Sequence, residues 1–201
     1  MDEQPTTAEP QVKSRRRWYQ FSLRTLLIVV TLVGCGLGWL GFKVREARRQ
    51  EVAVAAIEKL GGQVAYDDQF DSLGNYVGKV VPPGPAWLRE LLGNDFFRNV
   101  RTVDLTLPTL RDADLDQLQW LSTCKWLNLG KSGVTDAGLP QVKELTQLNW
   151  LLLANTQVSD AGLENLKGLA QLQTLDLRGT RVTAAGVKKL QQALPNCEVT
   201  R

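Results

Sequence analysis

The chain has 201 residues, 43% of them hydrophobic and 22% charged, with a net charge of +3 and no histidine. That length holds one ordinary domain, or a smaller one plus an anchor. Without histidine the commonest general base and the commonest metal ligand are missing, and the basic excess gathers beside an apolar segment rather than along a groove, which argues against nucleic-acid binding.

Residues 1–14 are polar, carry Pro5 and Pro10, and read as a disordered tail that extends to residue 24. Arg15, Arg16 and Arg17, then Trp18, Tyr19 and Arg24, lead into an uncharged run from Thr25 to Phe42. This run is at the short end of what spans a ~30 Å hydrocarbon core. Trp18 and Tyr19 on one side and Trp39 on the other suit the two membrane interfaces. Residues 25–42 are therefore expected to form a single-pass signal anchor. Lys13, Arg15, Arg16, Arg17 and Arg24 precede it, and Lys43, Arg45, Arg48 and Arg49 follow it. The small imbalance, and the behaviour of a lone N-terminal apolar segment with a basic leader, put the rest of the chain outside the cytoplasm. A second reading stays open. Leu32-Val33-Gly34-Cys35 has the form of a bacterial lipobox, in which Cys35 would be lipidated after cleavage, although the residues beyond Cys35 remain apolar.

Residues 43–62 form the next expected unit, a juxtamembrane helix rich in Ala and Glu and ended by Gly61-Gly62. Residues 63–99 form a capping region. Short strands are expected at Gln63–Tyr66 and Tyr76–Val81, joined by a solvated acidic loop holding Asp67, Asp68 and Asp71, with a short helix over Trp87–Leu92 after Pro85. Val81, Leu91 and Phe97 fall 24 residues before Leu105, Leu115 and Leu121, so residues 76–99 are expected to be a degenerate first repeat that covers the open end of a stack.

Residues 100–201 repeat with a period of 24. Val100, Cys124, Leu148 and Leu172 form one apolar column; Val103, Leu127, Leu151 and Leu175 form the next; Leu105, Leu129, Leu153 and Leu177 the third. Three more columns start at Leu110, Leu115 and Leu118 and keep the same step. A fixed period of this length implies a solenoid, because one unit cannot bury its apolar face alone. Thr135, Ser159 and Thr183 sit where a helix N-cap belongs. Asp136 and Asp160 follow in the first turn, where the helix dipole favours negative charge.

The unit beginning at Leu148, LNWLLLANTQVSDAGLENLKGLAQ, resembles the leucine-rich-repeat consensus. Ser132, Thr156 and Thr180 replace the usual asparagine with a hydroxyl that can still bond the backbone, whereas Pro108 cannot. With the leader RRRWYQFSLRTLLIVVTL, the helix end AIEKLGG and the segment PAWLRELLGNDFFRNV, the chain resembles a group of membrane-anchored leucine-rich-repeat proteins of planctomycete bacteria. The resemblance implies an α/β solenoid of about four repeats, with parallel strands on the concave face and short helices on the convex face. It specifies no ligand.

Side chains that point out of the strands make columns on the concave face, one of them Thr102, Trp126, Trp150 and Thr174. Adjacent strands lie ~4.8 Å apart, so Trp126 and Trp150 should be neighbours, with Leu152, Asn128 and Lys125 around them. These five residues form the candidate site for an unknown protein or envelope polymer. The alternative is that the two tryptophans only stack on each other or are covered by terminal segments. Chemistry is not expected. Asp112, Asp114 and Asp116 begin like a calcium loop, but its required Gly and Glu are replaced by Gln117 and Thr123. No phosphate loop, Cys-x-x-Cys pair or catalytic dyad occurs, and the three cysteines do not make a disulfide framework. The expected function is a tethered, non-catalytic interaction module, or else a receptor or regulatory subunit of a membrane complex. No cofactor is implied.

Overall fold

The computed structural model describes residues 23–78 and 80–201; Trp18, Tyr19 and nearly all of the expected polar tail lie outside the described residues. The chain divides into two compact units, Met1–Leu40 and Gly41–Arg201. One helix, α1 (Leu23–Leu60), supplies the described part of the first unit and opens the second. Its apolar stretch has a mean hydropathy of 2.1 and is 0% buried. Thr31 donates its hydroxyl to the Leu27 carbonyl at 2.9 Å, so this polar group is satisfied inside the helix. A helix of this length and composition is of the kind that serves as a membrane anchor or a signal sequence.

In the second unit, Ala47, Gln50, Ala53, Val54 and Ile57 bury one stripe of α1, as the helical period requires. The helix ends because Gly61 enters the left-handed region (φ +94°). The Gly61 N–H then reaches the Glu58 carbonyl, and the Gly62 N–H reaches that of Ile57, both at 2.9 Å. This pair of bonds satisfies carbonyls that a helix end leaves open. Gly62 has a second reason to be glycine: a Cβ there would lie 2.7 Å from Leu105 and 2.8 Å from Ile57.

Six strands follow one another in a single sheet: β1 (Gln63–Tyr66), β2 (Val100–Asp104), β3 (Trp126–Asn128), β4 (Trp150–Leu152), β5 (Thr174–Asp176) and β6 (Glu198–Thr200). From β2 onward they are parallel and in a register of one repeat, so that Val103 is followed by Leu127, Leu151, Leu175 and Val199. The helix α2 (Ala86–Leu92) precedes the repeats, with Pro85 at its N-cap. Between strands the chain returns through short helices: a 3₁₀ helix at Asp112–Trp120, α3 (Leu139–Val142), α4 (Asp160–Leu163) and α5 (Ala184–Ala193). One short strand and one short helical return per 24 residues is leucine-rich-repeat architecture. Every residue of the six apolar columns is buried except Val187, which packs half-buried against the core.

Two bond sets repeat with the period. Ser132, Thr156 and Thr180 donate their hydroxyls to the carbonyls of Leu129, Leu153 and Leu177 at 2.6, 2.7 and 2.6 Å, where each strand turns away. The second set joins successive repeats. Asp112 accepts from both the N–H and the hydroxyl of Thr135, at 2.8 and 2.7 Å. Asp136 does the same with Ser159, at 2.7 and 2.5 Å, and Asp160 with Thr183, at 2.7 and 2.6 Å. The hydroxyls in turn accept from the N–H groups of Ala137, Ala161 and Gly186, which is the N-cap role expected of them. The aspartates thus hold the next repeat as well as sitting in a helix first turn. They need room to do so. A Cβ at Gly138 would lie 2.6 Å from Asp112, and at Gly162 and Gly186 it would come closer still to Asp136 and Asp160. The ladder stops at Ala184, one period after Asp160, where Arg201 instead donates to the Val182 carbonyl at 2.8 Å.

Several expectations about residues 63–99 are corrected. The strand expected at Tyr76–Val81 does not form among the described residues, and β1 pairs antiparallel with β2. Among the described residues of that segment, Tyr76 makes a single isolated bridge to Phe70. Pro82 and Pro83 just beyond it bring no N–H to a ladder. Nor do residues 76–99 take repeat positions, because Val81 and Leu91 are 71% and 72% exposed. The end of the core is covered instead by Ala53, Val54 and Ile57 of α1 and by β1. Asp68 is no freely solvated residue: it pairs with Arg98 at 2.9 Å, their side chains only 17% and 13% exposed.

Candidate functional site

Strand pairing places Trp126 directly beside Trp150, and Thr102 and Thr174 on either side of them. Both tryptophans point away from the core, Trp150 remaining 39% exposed and Trp126 half-buried. They are not stacked; the ring pairs among the described residues are Phe70–Tyr76 and Phe96–Phe97.

The N-terminal wall of the site comes from the loop after β1. That loop is pinned to the sheet edge. The Asp67 N–H bonds the Asn99 carbonyl at 3.0 Å, and the Val77 N–H bonds that of Gln69 at 2.8 Å. The buried Gln69 side chain accepts from the Tyr66 N–H at 2.8 Å. Asp71 clasps the tip, accepting from the Leu73 and Asn75 N–H groups and from the Asn75 side chain. The Asn75 side-chain bond, then its backbone bond, holds the Asp71 carboxyl below its ordinary range. So held, the loop presents Phe70 and Tyr76 edge to face, centroids 5.7 Å apart. Arg101 of β2 lies over the Phe70 ring at 4.5 Å.

Together these groups enclose an open cleft of about 480 Å³, lined by Ala65, Phe70, Gly74, Tyr76, Arg101, Thr102, Lys125, Trp126 and Trp150. Its walls are aromatic on two sides. Its charged lining is cationic, with Lys125 and Arg101 and no carboxylate, and neither cation makes a salt bridge among the described residues. Such a cleft can bury an apolar side chain and meet an anionic group beside it.

Of the five residues expected at the site, the cleft brings together Lys125, Trp126 and Trp150. Leu152 and Asn128 share their strands but do not line it. The Asn128 side chain is occupied: it donates to Asp104 at 3.4 Å and accepts from the Gly130 N–H at 3.0 Å. Further along the face, Asp176 is 8% exposed, covered by Arg178, whose Nη2 lies 2.6 Å away. The Arg178 hydrogen bond keeps the Asp176 carboxyl low. Phe70 and Tyr76 were not anticipated, though two aromatics flanking an Asp71–Asn75 turn were visible in the sequence.

Asp112, Asp114 and Asp116 do not converge: they bond Thr135, the Arg111 N–H and Gln141 respectively. No group of three or more His, Cys, Asp or Glu side chains suited to a metal occurs among the described residues.

No family model and no curated protein matches the chain. Several solved structures resemble part of it. A leucine-rich-repeat protein of Leptospira interrogans is 21% identical, with a TM-score of 0.35, over 43% of this chain and 21% of its own. Internalin C2 of Listeria monocytogenes is 28% identical, with a TM-score of 0.35, over 42% of this chain and 34% of its own. A second Listeria monocytogenes internalin is 24% identical, with a TM-score of 0.32, over 42% and 30%. This chain therefore spans about a third or less of the proteins it resembles, and nothing about its partner follows from them.

Proposed function

We propose that the protein is a membrane-tethered interaction module without catalysis of its own. Its repeats lie outside the cytoplasm and use the concave cleft to hold a partner protein. The observation that carries the reading is the cleft itself: four aromatic rings and two cations without a salt bridge among the described residues, around about 480 Å³, where β1 and its loop meet the parallel strands. Exposed tryptophan beside a basic group is the composition of an interface hot spot. The lining favours an extended segment with an apolar side chain next to a carboxylate. An envelope polymer is the other outcome, since sugars also pack on tryptophan. The tether is α1, with its apolar stretch wholly exposed. Cys35 is exposed on that stretch, which keeps lipid attachment at Cys35 as the second form of tether.

The test is recovery of partners by the full-length chain from solubilised membranes, compared with a Trp126→Ala/Trp150→Ala variant. The account expects a discrete partner that the variant loses at unchanged thermal stability. Equal recovery by the folded variant refutes it. The mass of the mature chain separates the tethers: loss of the first 34 residues with added acyl mass means lipidation at Cys35, and an uncut chain means a signal anchor.

A further inference from the structure

A second surface lies on the opposite flank of the first repeat, centred on Trp120. This half-buried ring ends the 3₁₀ helix of that repeat. The Arg49 guanidinium lies over it at 4.4 Å. Phe42, Arg45, Arg49 and Val52 form one stripe of α1 at helical spacing, and Trp120 lines the grooves on that stripe. The largest of these has a volume of about 370 Å³ and is walled by Phe42, Arg45, Arg49, Trp120 and Ser122. Glu46 also lines it, but that carboxylate is paired with Lys43 at 2.7 Å. Arg45, Arg48 and Arg49 make no salt bridge among the described residues. The groove therefore has a net positive lining with an aromatic floor.

Its place along the chain says what it would meet. The uncharged run ends at Phe42. At ~1.5 Å per helical residue, Arg45 stands ~5 Å beyond that end and Arg49 ~10 Å. The headgroup layer on each face of a bilayer is ~5–8 Å thick. Arginines at this depth meet phosphates, and a tryptophan beside them suits the boundary between acyl chains and water.

We infer that Arg45, Arg49 and Trp120 form a headgroup site for an anionic phospholipid. The site fastens the first repeat to the membrane surface through its lipid as well as through the chain. The inference rests on the tethering part of the proposed function. The cleft of Trp126 and Trp150 is not involved.

The test uses the full-length chain in detergent micelles, doped with phosphatidylglycerol or phosphatidylcholine, with bound lipid counted by native mass spectrometry. Phosphatidylglycerol should be retained in preference. An Arg45→Gln/Arg49→Gln variant should bind it roughly 25-fold more weakly, at about fivefold per basic group near an anionic surface. An Arg181→Gln variant, on the last repeat, should bind as the parent does. Glycerol phosphate in equal amount should fail to compete; full competition would make the groove a free-phosphate site and overturn the proposal. So would unchanged phosphatidylglycerol binding by the double variant, or equal retention of both lipids. Alkaline extraction of native membranes is read separately. Release of the chain contradicts the tether, whereas retention without lipid preference contradicts only the headgroup site.

Discussion

Replacing Gly186 with alanine should destabilise the protein, and the same replacement should stabilise it once Asp160 is gone. In α5, Gly186 is a poor helix residue, and alanine would ordinarily gain about 1 kcal/mol. Here the three nearest atoms the new Cβ would meet are all from the Asp160 carboxylate, the farthest at 3.0 Å. That carboxylate cannot simply swing aside, because it holds the Thr183 N–H and hydroxyl at 2.7 and 2.6 Å. Overpacking of this kind costs about 1–3 kcal/mol, and the gain in propensity offsets part of it. Gly186→Ala should therefore cost up to about 2 kcal/mol net, the difference of those two terms. In an Asp160→Ala background those three contacts are gone, and Gly186→Ala should be neutral or stabilising by up to about 1 kcal/mol. Urea unfolding of the four proteins in micelles, followed by far-ultraviolet circular dichroism, reads both costs. The same destabilisation in both backgrounds would refute the claim that the repeat glycine makes room for the preceding repeat's aspartate.

Leu151, fully buried in the middle column, should cost about 2–5 kcal/mol as Leu151→Ala, measured by the same unfolding experiment. The Asp160 carboxyl is held low by the Thr183 hydroxyl first and its N–H second. A depressed folded value means that its contribution is complete above the ordinary carboxylate range near ~4 and is lost as pH falls through the folded value. Asp160→Asn should therefore flatten the acid limb of stability against pH, and an unchanged slope between the two proteins contradicts this. Burial pushes the Cys124 thiol up to about 12 and the Cys197 thiol up to about 11. Both should resist iodoacetamide at pH 8 until the chain is unfolded, as peptide mapping of the alkylated protein would show.

The core was legible because burial follows the period: each residue of the six apolar columns recurs 24 positions on. β6 obeys the same rule, since Val199 stands one period after Leu175. Its signal is weak because the strand has a single inward residue, Val199. Spacing also misled. Val81 and Leu91 keep the step of 24, but Val81 precedes Pro82-Pro83, where no strand ladder can form, and Leu91 sits on an exposed position of α2. The aspartate ladder could not be read locally. Asp136 and Ser159 are 23 residues apart, and only stacking brings the carboxylate to the next hydroxyl. The cleft had a legible half and a hidden half. Trp126 and Trp150 follow from register, whereas Phe70 and Tyr76 reach the face only because β1 turns back antiparallel to β2.

The central claim is that the concave cleft holds a partner, and a photo-crosslinking residue at Thr174 tests it most directly. Thr174 is in register beside Trp150 but does not line the cleft, so the site stays intact. Irradiated cells should yield one discrete crosslinked protein that is absent when Trp126 is replaced by alanine and absent from the convex position Lys188. The same products from Lys188, or products at Thr174 that survive Trp126→Ala, would contradict it.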